Sequence, residues 1–171
     1  MILAFDTYYF NNKAKTVCIC FEKWTDSTYT RVLSEITNTL AAYESGAFYK
    51  RELPCIVSLL KKTDLKSVEL IIVDGFVVLD DSGKPGLGGY LYEYLERKIP
   101  VAGVAKTAYA QNKNNRREVW RGKSKKPLFI NSLGIDPDFI SGQIRNMHGN
   151  YRIPDLLKQL DLLTKTKENS N

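Results

Sequence analysis

Four acids and one lysine are the residues of this chain with most chemistry to offer. Asp6 follows an apolar run over residues 1–5, and Asp74 closes another over residues 70–73. Glu52 stands two residues ahead of Pro54, and Asp161 lies near the charged face of a C-terminal helical stretch. Lys106 follows the short apolar run over residues 99–104. An acid at the end of a buried strand costs desolvation unless something pairs with it, and strand ends of α/β sheets are where ligands bind. Taken singly, each acid has a structural explanation: Asp74 can cap the turn that follows it, and Glu52 can favour the positive end of a helix. Taken together they point elsewhere. Carboxylates gathered in a low-dielectric site repel one another unless a cation holds them, and Mg²⁺ or Mn²⁺ is the hard cation that oxygen ligands select.

Gathering those residues falls to the elements that carry them. Residues 70–73 are a continuous apolar run rich in β-branched side chains, the pattern of a strand buried on both faces of a parallel sheet. A turn-rich loop with Asp80, Asp81, Gly83, Pro85 and Gly86 leads into an amphipathic helix through Leu87, Leu91, Tyr94 and Leu95. The strand over 99–104 then delivers Lys106 to the edge that holds Asp74. Upstream, residues 1–5 read as a first strand and Asn11-Asn12-Lys13 as turn chemistry. Residues 15–21 and 29–36 alternate as strands do, giving an antiparallel meander. Pro54 belongs in the first turn of a helix over 55–60, so Glu52 is expected at or just before its start. A strand over 127–132, a helix opened by Asp136-Pro137 and a last helix opened by Arg152-Ile153-Pro154 complete the chain. The pattern predicts an α/β fold, a mixed central sheet with helices on both faces. If the first and fourth strands are neighbours, Asp6 and Asp74 meet.

Composition sets the bounds. The chain has 171 residues, 43% of them hydrophobic, enough for one globular domain with its own core. That domain is expected over residues 1–163, with a polar, frayed tail over 164–171. Lys plus Arg number 25 against 19 acids, a net charge of +6 that suits a polyanionic partner without requiring one. Three cysteines without framework spacing are expected as reduced thiols in a cytoplasmic protein. Cys18 and Cys20 have no answering Cys/His pair, and the only histidine is His148, so a zinc site is not expected. No apolar run approaches membrane-spanning length, and no signal peptide is visible. Residues 111–126 carry Arg116, Arg117, Arg121 and four lysines around Trp120, a run that is either solvated or in contact with phosphates.

Six words occur in order along the chain: Asp6-Thr-Tyr-Tyr9, Phe48-Tyr-Lys-Arg-Glu52-Leu-Pro54, Val73-Asp74-Gly75, Gly103-Val-Ala-Lys106, Lys126-Pro-Leu-Phe-Ile-Asn-Ser-Leu-Gly134 and Arg152-Ile-Pro-Asp155. Together they resemble the endonuclease V family, metal-dependent nucleases of ribonuclease-H-like fold. The family's corresponding words are Asp-x-Ser-Tyr, Phe-Arg-Glu-Gly-Pro, Val-Asp-Gly-His-Gly, Gly-Val-Ala-Lys, Pro-Leu-Tyr-Val-Ser-x-Gly-His and Arg-Leu-Pro-Glu. The resemblance implies that Asp6, Glu52, Asp74 and Asp161 hold Mg²⁺ (or Mn²⁺) and that Lys106 offsets charge on the phosphate or orients the attacking water. It implies hydrolysis at the second phosphodiester 3′ to a deaminated base, chiefly inosine, in DNA or RNA, with the base turned out of its stack. Main chain near Gly75 would help form the base pocket.

Two departures accompany the resemblance. The family's proline-stiffened strand-separating wedge is here Ala42-Tyr43-Glu44-Ser45, which keeps only the aromatic Tyr43. The family's histidine after Val-Asp-Gly is replaced around Asp80, and its second histidine falls at Tyr90. Three functions remain in play: an inosine-directed endonuclease acting as a monomer, a nuclease of the same chemistry with another substrate, and a nucleic-acid-binding protein on the same scaffold.

Overall fold

A computed structural model describes residues 1–38, 49–109 and 111–166. Three strands open the chain, β1 (Ile2–Phe10), β2 (Lys13–Phe21) and β3 (Arg31–Asn38). Helix α1 (Tyr49–Leu60) and a short 3₁₀ turn (Leu65–Ser67) lead to β4 (Leu70–Asp74), α2 (Leu87–Tyr94) and β5 (Val101–Ala105). The chain then forms β6 (Arg117–Val119), β7 (Leu128–Leu133), α3 (Pro137–Asn146) and α4 (Asp155–Lys165). The strands make one sheet in the order β3-β2-β1-β4-β5-β7-β6. β1 pairs parallel with β4, and β4 parallel with β5; the other pairings are antiparallel. This is the mixed sheet expected from the pattern. The β1–β2 hairpin turns at Asn11 and Asn12, whose φ values of 45° and 59° are the left-handed pair that matches strand twist in a two-residue turn.

Each face of the sheet has its own core. Ile2 and Ala4 of β1, Leu70 and Ile72 of β4, and Ala102 and Val104 of β5 bury against Ile140, Ile144, Leu156 and Leu160 of α3 and α4. The alternate residues Leu3, Phe5, Ile71, Val73 and Val101 bury on the other face, with Ile56 and Leu59 of α1 and Leu91 of α2. Period-two alternation explains why these strands are apolar throughout. It also has a consequence for the site. Residues 2, 4, 70, 72, 102 and 104 face α3 and α4, so the next members of each series, Asp6, Asp74 and Lys106, emerge on that same face.

Three expectations need correction. β1 does not end near Asp6: its parallel pairing with β4 stops at Phe5↔Val73, but its hairpin with β2 carries it on to Phe10. α1 starts at Tyr49, so Pro54 lies inside the helix and Glu52 in its first turn. The basic segment, read as an exposed hairpin or loop, does form a hairpin arm: its edge strand β6 is held antiparallel against β7. α4 runs to Lys165, with Thr164 buried and its hydroxyl donating to the Asp161 carbonyl at 2.7 Å, so the tail does not begin at residue 164. All three cysteines are unpaired and buried. Among the described residues, no helix is long and apolar enough to cross a membrane.

Candidate active site

The corner where β4 and β5 end, and where β1 parts from β4, collects the candidate residues on the α4 side. Asp6 stands one residue beyond the last β1–β4 pair, Asp74 is the last residue of β4, and Lys106 follows β5 directly. Lys106 Nζ lies 2.8 Å from Asp74 Oδ2 and 3.7 Å from Asp161 Oδ1. Asp161 comes from α4, which packs on β1 and β2, and its other oxygen accepts from Lys165 Nζ at 2.7 Å. Glu52 arrives from α1 on the opposite face of the sheet and is only 5% exposed. Behind Asp74 the chain makes a tight passage. Gly75 takes φ +122°, and a Cβ on Gly103 would stand 2.5 Å from the Gly75 carbonyl oxygen. Both glycines are therefore needed for the backbone after Asp74 to lie across β5.

The acids act on one another. Burial pushes the Asp6 carboxyl up to about 6, with repulsion from Asp74 adding to it and the Thr7 backbone N–H, 2.8 Å from Asp6 Oδ1, opposing it. Burial, then Asp6, then Asp74, push Glu52 well above the ordinary glutamate range, and Arg51 opposes them. For Lys106, burial works against the charged form, but the hydrogen bond to Asp74 and the charges of Asp74, Asp6 and Asp161 outweigh it and raise its pKa. Carboxylates from four separate elements thus gather around the Lys106 ammonium, with Lys165 on the far oxygen of Asp161. Two of them, Asp6 and Glu52, carry a penalty for ionising that the protein's own cations do not remove.

That donor set fits a hard divalent cation in its chemistry: oxygen ligands only, negative in sum, and destabilised without added positive charge. Among the described residues, no three acidic, imidazole or thiol side chains stand close enough together to hold a metal ion as they are placed. The ammonium of Lys106 takes up the space between Asp74 and Asp161, and Lys165 draws Asp161 outward along α4. A divalent ion would compete with Lys106 for both carboxylates.

The residues expected to contact nucleic acid are placed less uniformly. Tyr43 lies outside the described residues. Gly75 adjoins the acids, its N–H donating to the Val104 carbonyl at 3.1 Å. Tyr90 stacks on Tyr49, with ring centroids 3.7 Å apart. Arg121 is a correction: it is 5% exposed, and its guanidinium donates to the carbonyls of Arg145, Met147, Gly149 and Tyr151. It holds a loop together and has no surface to offer a phosphate. Arg117 pairs with Asp138, and Arg116 donates to the Tyr109 carbonyl with its guanidinium 5.0 Å from the Phe129 ring centroid. Sequence reasoning missed Arg152, whose guanidinium donates to the carbonyls of Lys106 and Pro127. It also missed Lys165, although its position four residues after Asp161 on a helix was a readable signal.

By sequence, no family model and no curated protein matches the chain. By structure it is similar to the catalytic domain of human endonuclease V, at 19% identity over 96% of this chain and 80% of that one, with a TM-score of 0.76. It is similar to Ciona intestinalis endonuclease V in complex with a 24mer DNA containing an inosine followed by a ribo-adenosine, at 14% identity over 96% and 83% of the two chains, with a TM-score of 0.77. Bacillus subtilis endonuclease V aligns at 18% identity over 96% and 78%, with a TM-score of 0.72. At these identities the likeness is one of fold: the chain has the ribonuclease-H-like fold of endonuclease V structures.

Proposed function

We propose that this chain is a metal-dependent endonuclease of the endonuclease V type, hydrolysing a phosphodiester bond 3′ to a deaminated base, inosine, in DNA or RNA. One observation supports the reading: Asp6 of β1, Asp74 at the end of β4, Glu52 of α1 and Asp161 of α4 come from both faces of the sheet, Asp6, Asp74 and Asp161 around Lys106, and burial with neighbouring carboxylates penalises ionisation of Asp6 and Glu52. Asp6, Glu52, Asp74 and Asp161 would hold Mg²⁺ or Mn²⁺, which when bound lowers the pKa of a water and polarises the phosphate. The chain's own residues do the rest. Lys106, freed from Asp74, sets its ammonium against the charge that develops on the phosphate oxygens. The buried carboxyl of Glu52 excludes solvent from the α1 side and orients the attacking water. Gly75, with no side chain, leaves main chain exposed at the place where an extruded base would rest. The protein acts as a cytoplasmic monomer on this reading.

A second substrate class is favoured by a specific observation. Tyr90, at the place of the family's second histidine, stacks on Tyr49 and offers a ring face where the resemblance leads one to expect an imidazole. The same chemistry would then act on a nucleic acid without inosine. A panel of inosine-containing, uracil-containing and unmodified oligonucleotides, DNA and RNA, assayed with Mg²⁺, Mn²⁺ or EDTA decides. The expected result is cleavage at the second phosphodiester 3′ to inosine with Mg²⁺ and none with EDTA. Cleavage of another member of the panel moves the reading to the second class, and binding without cleavage of any member ends the enzyme reading.

A further inference from the structure

Next to the acidic corner, and sharing Ile153 with its wall, runs an open groove lined by Lys123, Ser124, Asn150, Tyr151, Arg152 and Lys158. Three of these side chains are basic and none is acidic. Tyr151 stands 68% exposed, more than any other large hydrophobic residue described, and Lys158 Nζ lies 5.5 Å from its ring centroid. An aromatic ring held in water contributes little to a core, and here it is held there firmly. The buried guanidinium of Arg121 donates to the carbonyls of Arg145 in the last turn of α3 and of Met147, Gly149 and Tyr151 in the loop that follows. Asp155 takes the His148 ring at 2.8 Å and donates its own N–H to the His148 carbonyl. Gly149, at φ +102°, packs so closely that a Cβ would meet Asp155 Oδ1 at 2.4 Å. On the other side, Arg152 ties the groove to the carbonyl of Lys106. The ring is thus preorganised beside the acidic site, and little ordering is left to do when something stacks on it.

We infer that this groove carries a single-stranded stretch of nucleic acid alongside the scissile phosphodiester, with one base stacked on Tyr151 and the neighbouring phosphates on Lys123 and Lys158. The inference rests on the nuclease reading for the chemistry next door and names the track by which the strand reaches it. Basic grooves interleaved with exposed aromatics are how sequence-tolerant single-strand binding works, because every base has a face to stack. An acidic peptide would use the lysines and leave the ring idle; a nucleotide strand uses both. A strand approaching four carboxylates also needs cations at their border, and this groove is where the lining provides them.

The test is fluorescence anisotropy with a labelled unmodified single-stranded oligonucleotide in EDTA, titrated with salt. Tyr151→Leu should weaken binding roughly tenfold or more, and Tyr151→Phe should bind within about twofold of the parent chain. Lys123→Gln with Lys158→Gln should flatten the slope of log K against log salt by about 0.7 for each lysine. All three side chains are exposed, so thermal melts of the variants should match the parent chain and show that folding is not the cause. Leucine and glutamine variants that bind with parental affinity and slope would overturn the inference. So would polyglutamate competing as well as the oligonucleotide, or a phenylalanine variant as weak as the leucine one. Cleavage is scored apart, with Mg²⁺. Binding through the groove without cleavage ends the nuclease reading and leaves the track; cleavage with unimpaired groove variants ends the track and leaves the nuclease.

Discussion

Around Asp6 in β1 and Asp74 at the end of β4, charge accumulates faster than counter-charge: Asp6, Asp74 and Asp161 surround Lys106, Glu52 has Arg51, and two of the acids resist ionising. In residues 111–126 the excess is positive, yet each arginine is already matched. Arg116 has a carbonyl and a ring, Arg117 an aspartate, and Arg121 four carbonyls. Both regions are dense in charge, but the arginines of the second are satisfied, while two acids of the first are penalised for ionising. A deficit maintained by the fold costs stability, and strained titratable groups in a cleft mark candidate function. Satisfied charges mark architecture. The comparison can be broken at either end.

Its largest consequence concerns Asp74. Asp74→Asn keeps size and hydrogen-bonding capacity but removes one negative charge from the acidic site. On the proposed function, single-turnover cleavage with Mg²⁺ should fall by at least about a thousandfold, about 4 kcal/mol of barrier. Without metal the variant should melt no lower than the parent chain, because repulsion on Asp6 and Glu52 is relieved. Retained cleavage would reduce Asp74 to a turn cap.

At the opposite end, Arg121→Met should do its damage to the fold. The guanidinium fills four carbonyls that a methionine leaves without donors, and buried unsatisfied acceptors are costly. A loss of about 3 kcal/mol is expected, read as a melting temperature lower by roughly 6–12 °C. The salt dependence of oligonucleotide binding should not change. A stable variant with a flatter slope would make Arg121 a phosphate ligand after all.

What the sequence allowed one to read follows the same division. The two-faced core was legible because 70–73 is apolar without a break, and the meander because 15–21 alternates. The convergence of Asp6 with Asp74 was legible once strands one and four were paired, since strand parity then fixes the face. The fate of the arginines was not. Nothing local distinguishes Arg121 from Arg116: the carbonyls it fills lie 24 to 30 residues away, in a loop whose shape depends on α3 and α4 being packed. Helix α1 was read too short because Pro54 was given the first turn, although the helix accommodates it farther in. Tyr151 escaped notice because an isolated tyrosine carries no periodicity.

The acidic deficit should also be visible as pH-dependent stability. Asp6 has a folded pKa of about 6, above the ordinary value of 3.8. Between those values the native state binds more protons than the unfolded chain, so stability falls as pH rises through the window. In EDTA the protein should therefore gain stability as pH drops from about 6 to about 4, by on the order of 2 kcal/mol from Asp6. Glu52 adds to the same trend and extends it to higher pH. At still lower pH the trend should reverse, because Glu35 and Asp138, held below the usual range by Lys62 and Arg117, lose their partners on protonation. Asp6→Asn should flatten the Asp6 share of the slope and raise stability at neutral pH, as read by denaturant melts across pH. A slope of the usual acid-denaturing sign from pH 6 downward would show that the site is not in deficit.

The smallest effect is expected from Arg116 and Arg117, and its smallness is informative. Arg117 and Asp138 form a partly exposed pair at the start of α3, with side chains 37% and 66% exposed. Such pairs contribute little, since attraction in high dielectric barely exceeds the cost of ordering two long side chains. If Arg117 is removed, Asp138 keeps a favourable place in the first turn of α3, near the positive end of the helix dipole. Arg116 sits beside the Phe129 ring and donates to the Tyr109 carbonyl. Replacing both arginines with alanine should lower the melting temperature by no more than about 2 °C. The same variant should leave the salt slope of oligonucleotide binding within error of the parent chain, while the Lys123 and Lys158 variant flattens it. If the arginine pair instead lowers the slope by about 0.7 per residue, both guanidiniums leave their partners for phosphates on binding. Satisfied charge would then be a reserve for binding, and the contrast between the two regions would fail on its basic side.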